Sequence, residues 1–164
     1  MLPLEKKSIA YLTNQFAKTG TIELITIRPK RGDLPTMQLA IEAIADQGLL
    51  GDHYASNGGK RQVTLIQAEH IQAVASMLGK EIDPLLLRRN IVVSGINLQA
   101  LKGKKFKIGN AILVHTGDCH PCSRMEENLG EGGYNAMRSH GGITAKVIFS
   151  GLIQRGDALV PLDE

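Results

Sequence analysis

The chain predicts a mainly β (α+β) fold: a barrel-like, mostly antiparallel β domain carrying a few short helices. Three observations point there. Short apolar runs dense in β-branched residues follow one another closely along the chain. Turn residues such as Gly109-Asn110, Gly151 and Gly156-Asp157 separate them. Helical patterns are too few to supply the crossovers of a doubly wound parallel sheet.

In order, residues 4–19 read as a short amphipathic helix, with Ile9, Leu12 and Phe16 at helical spacing and Gly20 as its stop. Thr21 to Pro29 reads as a strand and 30–35 as a turn or loop, with a second strand from Thr36 to about Ala43. A Gly-punctuated loop runs from Gly48 to Gly59. Arg61 to Gln67 is a strand around Val63, Leu65 and Ile66. Ala68 to Leu78 is a helix with Ile71, Val74 and Leu78 on one face and Gly79 behind it. Arg89 to Val93, Phe106 to Ile108, Ala111 to Thr116, Ile143 to Phe149 and Ala158 to Leu162 complete about seven short strands, and Ser123 to Leu129 is a short helix. There is no internal repeat and no low-complexity linker. The organisation expected is an N-terminal helical extension over 1–20 and a single domain over 21–164.

The 164 residues suffice for one domain with a real core. Hydrophobic residues make up 43% and charged residues 21%, the balance of a globular protein. Aromatics stop at 4%, without Trp, so stacking platforms for single-stranded nucleic acid are scarce. A net charge of +3 falls short of a nucleic-acid-binding stripe but suits a small anion. Lys102, Lys104, Lys105 and Lys107 read as a solvated strand-and-turn face. The N-terminus lacks a signal peptide's apolar run, and no stretch approaches the ~20 apolar residues of a membrane span. Only two cysteines are present, too few for a secreted disulfide scaffold. The chain therefore reads as cytoplasmic with reduced thiols, without nucleic-acid or membrane partners. The sequence sets no oligomeric state.

Four motifs carry chemistry. Cys119-His120-Pro121-Cys122-Ser123-Arg124 follows a strand and precedes a short helix. A cysteine there meets the positive end of the peptide dipoles, with His120 and Arg124 adding charge, and a thiolate is the form that attacks sulfur or ligates a soft metal. The same pair is compatible with a dithiol redox motif, half a zinc site completed by His115, His120 or His140, or two small core residues. Arg88-Arg89-Asn90, at a strand start, offers two guanidinium forks for an oxyanion, or a solvated surface pair. In Gly51-Asp52-His53-Tyr54 the glycine allows close backbone approach and Asp52 is placed to orient His53, although Gly-Asp is also ordinary turn chemistry. Gly130 to Gly142 contains Arg138 and His140. It reads as an anion cradle of backbone N–H groups or as a flexible loop, and it lacks the dinucleotide and P-loop spacings.

The ordered set Gly51-Asp52-His53, Gln62-Val63-Thr64-Leu65, Arg88-Arg89-Asn90-Ile91-Val92-Val93, Phe106-Lys107-Ile108-Gly109, Pro121-Cys122-Ser123-Arg124 and Gly151 with Gly156-Asp157 resembles the MOSC domain, the family named for the C-terminal part of molybdenum-cofactor sulfurase. The resemblance runs from about Thr21 to Pro161 and is to the small stand-alone bacterial form. It implies a β-barrel-like fold and an essential cysteine that carries sulfur or ligates the molybdenum of a pterin cofactor. The Pro-Cys match puts that role, and the metal ligand, on Cys122, with Cys119 and His120 beside it as catalytic candidates. Arg88, Arg89, Asn90, His53, Arg124, Arg138 and His140 are the cofactor-binding candidates. Pyridoxal phosphate is not expected, because the separate domain that binds it in full-length sulfurases does not fit in this chain.

The function expected is handling of molybdenum cofactor or activated sulfur through a reactive cysteine, with a pterin cofactor or a sulfur-donor protein as partner. One alternative is a molybdenum-dependent reductase of N-hydroxylated compounds served by redox partner proteins. Another is a non-catalytic or zinc-stabilised binding module.

Overall fold

The computed structural model describes residues 6–54 and 57–163. Eleven strands and four α-helices follow in order: α1 (Ile9–Leu12), β1 (Gly20–Ile27), β2 (Thr36–Gln38), β3 (Ala40–Ile44), β4 (Gly48–Leu49), β5 (Val63–Gln67), α2 (Ala68–Leu78), β6 (Ile91–Ser94), β7 (Lys105–Ile108), β8 (Ala111–Asp118), α3 (Ser123–Leu129), α4 (Gly133–Met137), β9 (Ile143–Phe149), β10 (Gly151–Gln154) and β11 (Ala158–Pro161). Two 3-10 turns, Pro84–Leu87 and Leu98–Leu101, lie between β5 and β7.

Seven strands close into a barrel in the order β11, β7, β8, β9, β5, β6, β1, with β1 pairing back onto β11. The pairs are antiparallel except β5 with β6, which run parallel. A parallel pair needs a crossover, and α2 with the first 3-10 turn supplies it. β2 lies outside the barrel on β1, and β10, β3 and β4 form a separate three-stranded sheet. The closed, mostly antiparallel barrel is the fold class that the close spacing of short strands predicts.

Two cores hold this arrangement. Inside the barrel, Ile25, Leu65, Phe106, Leu113, Ile143 and Leu159 pack together, all inaccessible to solvent. A second cluster on the outer wall joins Ile66 and Val92 to Ile71 and Val74 of α2, Met125 and Leu129 of α3, and Met137. All five residues of β5 are therefore buried, which explains its continuous apolar run. Each large side chain removed from water contributes about 1.5–3 kcal/mol.

The N-terminal helix is far shorter than 4–19, and residues 4 and 5 lie outside the described part. It stops after Leu12 because Thr13 and Asn14 both turn their side chains back onto the Ala10 carbonyl. The strand expected from Thr36 to Ala43 is two strands broken at Leu39: β2 pairs with β1 and β3 with β10. Gly151 belongs to β10 rather than to a turn. Among the described residues no helix is long and apolar enough to cross a membrane.

Candidate functional site

The C-terminal end of β1, the starts of β5 and β6 and the C-terminal end of β8 meet at one rim of the barrel. Pairing fixes this: Ile25 lies opposite Ile91, Ile91 beside Leu65, and both Leu65 and Asp118 opposite Ile143. A cavity of about 270 Å³ opens there.

Six arginines line it: Arg28, Arg31, Arg61, Arg88, Arg89 and Arg124. Arg28 is the first residue past β1 and is buried. Its backbone N–H donates to Asp52 Oδ1 at 2.9 Å, and its carbonyl accepts from His53 N at 2.6 Å. Asp52 Oδ2 accepts from Tyr54 N at 3.2 Å. Asp52 thus serves the backbone: it ties the loop after β4 to the end of β1 and spends its oxygens on amides, not on the His53 ring. The same tie brings Tyr54 under the Arg28 guanidinium, 5.1 Å from the ring centroid.

Arg88 and Arg89 sit just before β6, in neither case on a strand. Arg88 ends the 3-10 turn in a left-handed conformation, φ 59°, an uncommon choice for a residue with a side chain. The kink lets two consecutive arginines reach one cavity, where strand alternation would have sent them to opposite faces. Arg88 donates from Nη2 to the Asp33 carbonyl at 3.3 Å. Arg89 is buried, and all its donor arms are engaged: Nε to Gly141 O at 2.8 Å, Nη1 to Leu87 O at 2.8 Å and Nη2 to Cys119 O at 3.4 Å. Its charge reaches the cavity while its hydrogen bonds fix the loops around it.

None of the six forms an ion pair among the described residues, where the one salt bridge joins Lys146 to Asp46. The crowding shows in Arg88, whose pKa lies below the ordinary arginine value: burial pushes it down most, the charges of Arg28 and Arg124 push it further, and Tyr54 and Cys122 oppose them. An anion entering here meets arginines that, among the described residues, no carboxylate pairs with.

Both thiols line the same cavity, with His120 between them in sequence. Cys119 is buried; its N–H donates to Gly142 O at 2.9 Å, and Arg61 Nη2 approaches its Sγ at 3.8 Å. Cys122 is exposed at the residue before α3. Among the described residues no group of three or more His, Cys, Asp or Glu could hold a metal. A metal at Cys122 would take that thiolate as its protein donor.

The cavity unites His53, Arg88, Arg89, Cys119, His120, Cys122 and Arg124. Asn90 lies beneath it. Its Oδ1 accepts from Thr64 N at 2.9 Å and Thr64 Oγ1 at 3.1 Å, and its Nδ2 donates to Thr26 O at 3.2 Å. Arg138 and His140 are not on the cavity: Arg138 is exposed at the end of α4, and the His140 ring stands edge-on to His70, 4.9 Å between centroids. Nor does the Gly130–Gly142 stretch offer a free amide cradle. The N–H groups of Gly132 and Tyr134 both donate at 2.9 Å to the Glu126 carboxylate, which lowers the Glu126 pKa and seats α4.

Sequence reasoning did not single out Arg28, Arg31 or Arg61, and it placed Tyr54, Thr64 and Met125 only within longer motifs, without a site role. A signal existed: Arg28, Arg31 and Arg61 all flank the ends of strands, where barrel rims carry their loops.

A family model described as the MOSC domain matches residues 51–160. Among solved structures, the chain is similar to the YuaD protein from Bacillus subtilis, at TM-score 0.77 and 20% identity, covering 90% of this chain and 98% of that one. It is also similar to YiiM from Geobacillus stearothermophilus, at TM-score 0.72 and 18% identity over 88% of this chain and 75% of that one, and to YiiM from Escherichia coli, at 0.68 and 17% over 90% and 71%. No curated protein matches.

Proposed function

The chain belongs to the MOSC-domain family, one linked to molybdenum-cofactor biology, and we propose that it handles molybdenum cofactor or activated sulfur at the arginine cavity through Cys122. The observation that carries this reading is the convergence of six arginines without carboxylate partners on a cavity that also holds both thiols.

The donor set fits a phosphorylated pterin. Arg28, Arg88 and Arg124 would hold the phosphate, with charge-assisted hydrogen bonds of about 1.5–3 kcal/mol each. Arg89 spends Nε and one N–H of each Nη on carbonyls, so its charge faces the cavity from a fixed guanidinium. Tyr54 braces Arg28. When bound, the cofactor supplies a redox-active molybdenum centre. Cys122, exposed beside the same cations, is the thiolate available as its ligand.

The sulfur chemistry uses the same thiolate. It attacks the outer sulfur of a persulfide donor, the donor's S–S bond breaks, and the donor leaves as a thiolate with Cys122 holding the persulfide. Arg88 and Arg124 line the cavity beside Cys122, where a donor's sulfur would enter.

The test is molybdenum analysis and intact mass, with and without reductant, on protein freshly purified from a cofactor-competent host. Wild type is expected to carry molybdenum or one reducible extra sulfur, retained in Cys119→Ser and lost in Cys122→Ser. Bare wild-type protein, or equal tolerance of both changes, overturns the proposal.

A further inference from the structure

Cys119 and His120 line a second cavity of about 220 Å³, whose chemistry is the inverse of the first. Its remaining walls are Gln99, Asp118, Pro121, Ser139 and the Gly141-Gly142 backbone. No arginine or lysine is among its lining residues, where the one fixed charge is the Asp118 carboxylate; the Arg89 guanidinium stands behind the wall, its hydrogen bonds spent on the Gly141 and Cys119 carbonyls. The arginine cavity carries six cations and no carboxylate. Two adjoining cavities of opposite character thus share a cysteine and a histidine.

The second cavity is built by the chain with care for its shape. Ser139 adopts a left-handed conformation, φ 65°, so of the three non-glycine residues with positive φ among the described residues, two, Arg88 and Ser139, each line one of the paired cavities. Such backbone costs about 1–3 kcal/mol and persists where surrounding structure enforces it. Here the enforcement is visible. A Cβ on Gly141 would stand 2.0 Å from the Cys119 carbonyl, and one on Gly142 1.9 Å from the Leu65 carbonyl. The loop is pressed onto β5 and the cysteine segment, and Arg89 holds it there through Gly141 O. The polar groups at the wall, exposed at Asp118 and Ser139 and half-buried at Gln99, are open to a ligand. Among the described residues, the Asp118 carboxylate forms no ion pair, and neither it, the Ser139 hydroxyl nor the Gln99 amide makes a side-chain hydrogen bond.

We propose that this second cavity is a binding subsite for a small organic cation, an alkylammonium or a group of like charge, seated on Asp118 with Ser139 and Gln99 as further hydrogen-bonding partners. The paired cavities then sort ligands by charge, anions to the arginines and cations to Asp118, on either side of shared residues. The subsite stands on the geometry of its own walls, whatever occupies the arginine cavity.

The experiment is a titration of the purified protein, free of cofactor, with butylammonium, butyramide and butyrate, followed by amide chemical shifts. The three probes match in size and differ in charge. Butylammonium is expected to move the Ser139, Gly141 and Gly142 resonances saturably and to bind more tightly than butyramide. Butyrate is expected to move resonances around Arg88 and His53 instead. Asp118→Asn, an exposed substitution, should weaken butylammonium about tenfold, the scale of one charge-assisted hydrogen bond, while butyramide is unaffected. Ser139→Gly, which relieves the positive φ, should weaken both cavity ligands. The proposal is overturned if butylammonium does not saturate, if butyrate moves the 139–142 amides as strongly, or if Asp118→Asn leaves butylammonium binding unchanged. Failure of this titration leaves the molybdenum and sulfur analysis untouched, so the two readings fall separately.

Discussion

Replacing Asn90 by alanine separates a structural role from a ligand role at the centre of the Arg88-Arg89-Asn90 motif. Asn90 is buried at the point where β1, β5 and β6 converge. Its side chain takes the Thr64 N–H and hydroxyl and gives its amide to the Thr26 carbonyl. Thr26 and Thr64 are themselves buried. Truncation leaves one buried N–H and one buried carbonyl without that partner, each costing about 1–3 kcal/mol; the Thr64 hydroxyl can rotate and counts for little. The expected loss is about 4 kcal/mol. With a urea dependence of about 2 kcal/mol/M for a domain this size, the unfolding midpoint should fall by about 2 M with the slope unchanged. Wild type and Asn90→Ala would be compared by urea titration followed by circular dichroism. A loss below about 1 kcal/mol would refute the reasoning, and if phosphate binding collapsed at the same time, Asn90 would be a ligand contact rather than a staple.

Arg88→Gln should weaken pyrophosphate binding by at least about tenfold and flatten its salt dependence, whereas Arg138→Ala should leave both unchanged; calorimetry at two salt concentrations reads the difference. Gly142→Ala places a Cβ against the Leu65 carbonyl at a φ of +90°, so the melting temperature should drop by about 6 °C or more, taking at least 2 kcal/mol and about 3 °C per kcal/mol; an unchanged melting temperature would show that the loop moves freely. His70 and His115 both have pKa values lowered, chiefly by burial. Their neutral forms are favoured by folding, so as pH falls through the unfolded value of about 6.5 the unfolded chain takes up protons that the native state resists, and stability drops. His70→Gln with His115→Gln should lessen the stability lost between neutral pH and about pH 5.5, as denaturant titrations at both pH values would show; an identical loss in both proteins would count against these histidines.

The barrel was legible because strand signals are local. Ala68–Leu78, Ser123–Leu129 and Ile143–Phe149 fall at the expected boundaries, each with an uninterrupted periodicity and a turn residue behind it. α4 was not: its five residues begin at a glycine, and the Glu126 carboxylate that organises its first turn comes from another helix. The break at Leu39 was equally hidden, since β2 and β3 join different sheets without an intervening turn residue. For the site, motif spacing pointed to Arg88, Arg89 and both cysteines. It could not reveal Arg28 and Arg61, which enter only when the ends of β1 and β5 meet. Nor could it divert Arg138 and His140, whose place is set by how α4 packs.

The two cysteines of the same motif end in environments that suit different work. Cys122 is exposed and its backbone is free to begin α3, so a ligand or a donor's sulfur has access to it. Cys119 is held on several sides: its N–H is bound by Gly142 O, its carbonyl by Arg89, and its sulfur is approached by Arg61. Those three contacts come from the residues just before β9, β6 and β5, so Cys119 is tied to three strand starts at the barrel rim. It also lines both cavities. A residue so fixed cannot swing to meet a partner protein, but it can hold the two cavities in register. Under the proposed function the exposed thiol takes the reactive role and the buried one a positioning role, a division that residue spacing alone, identical for both, does not contain.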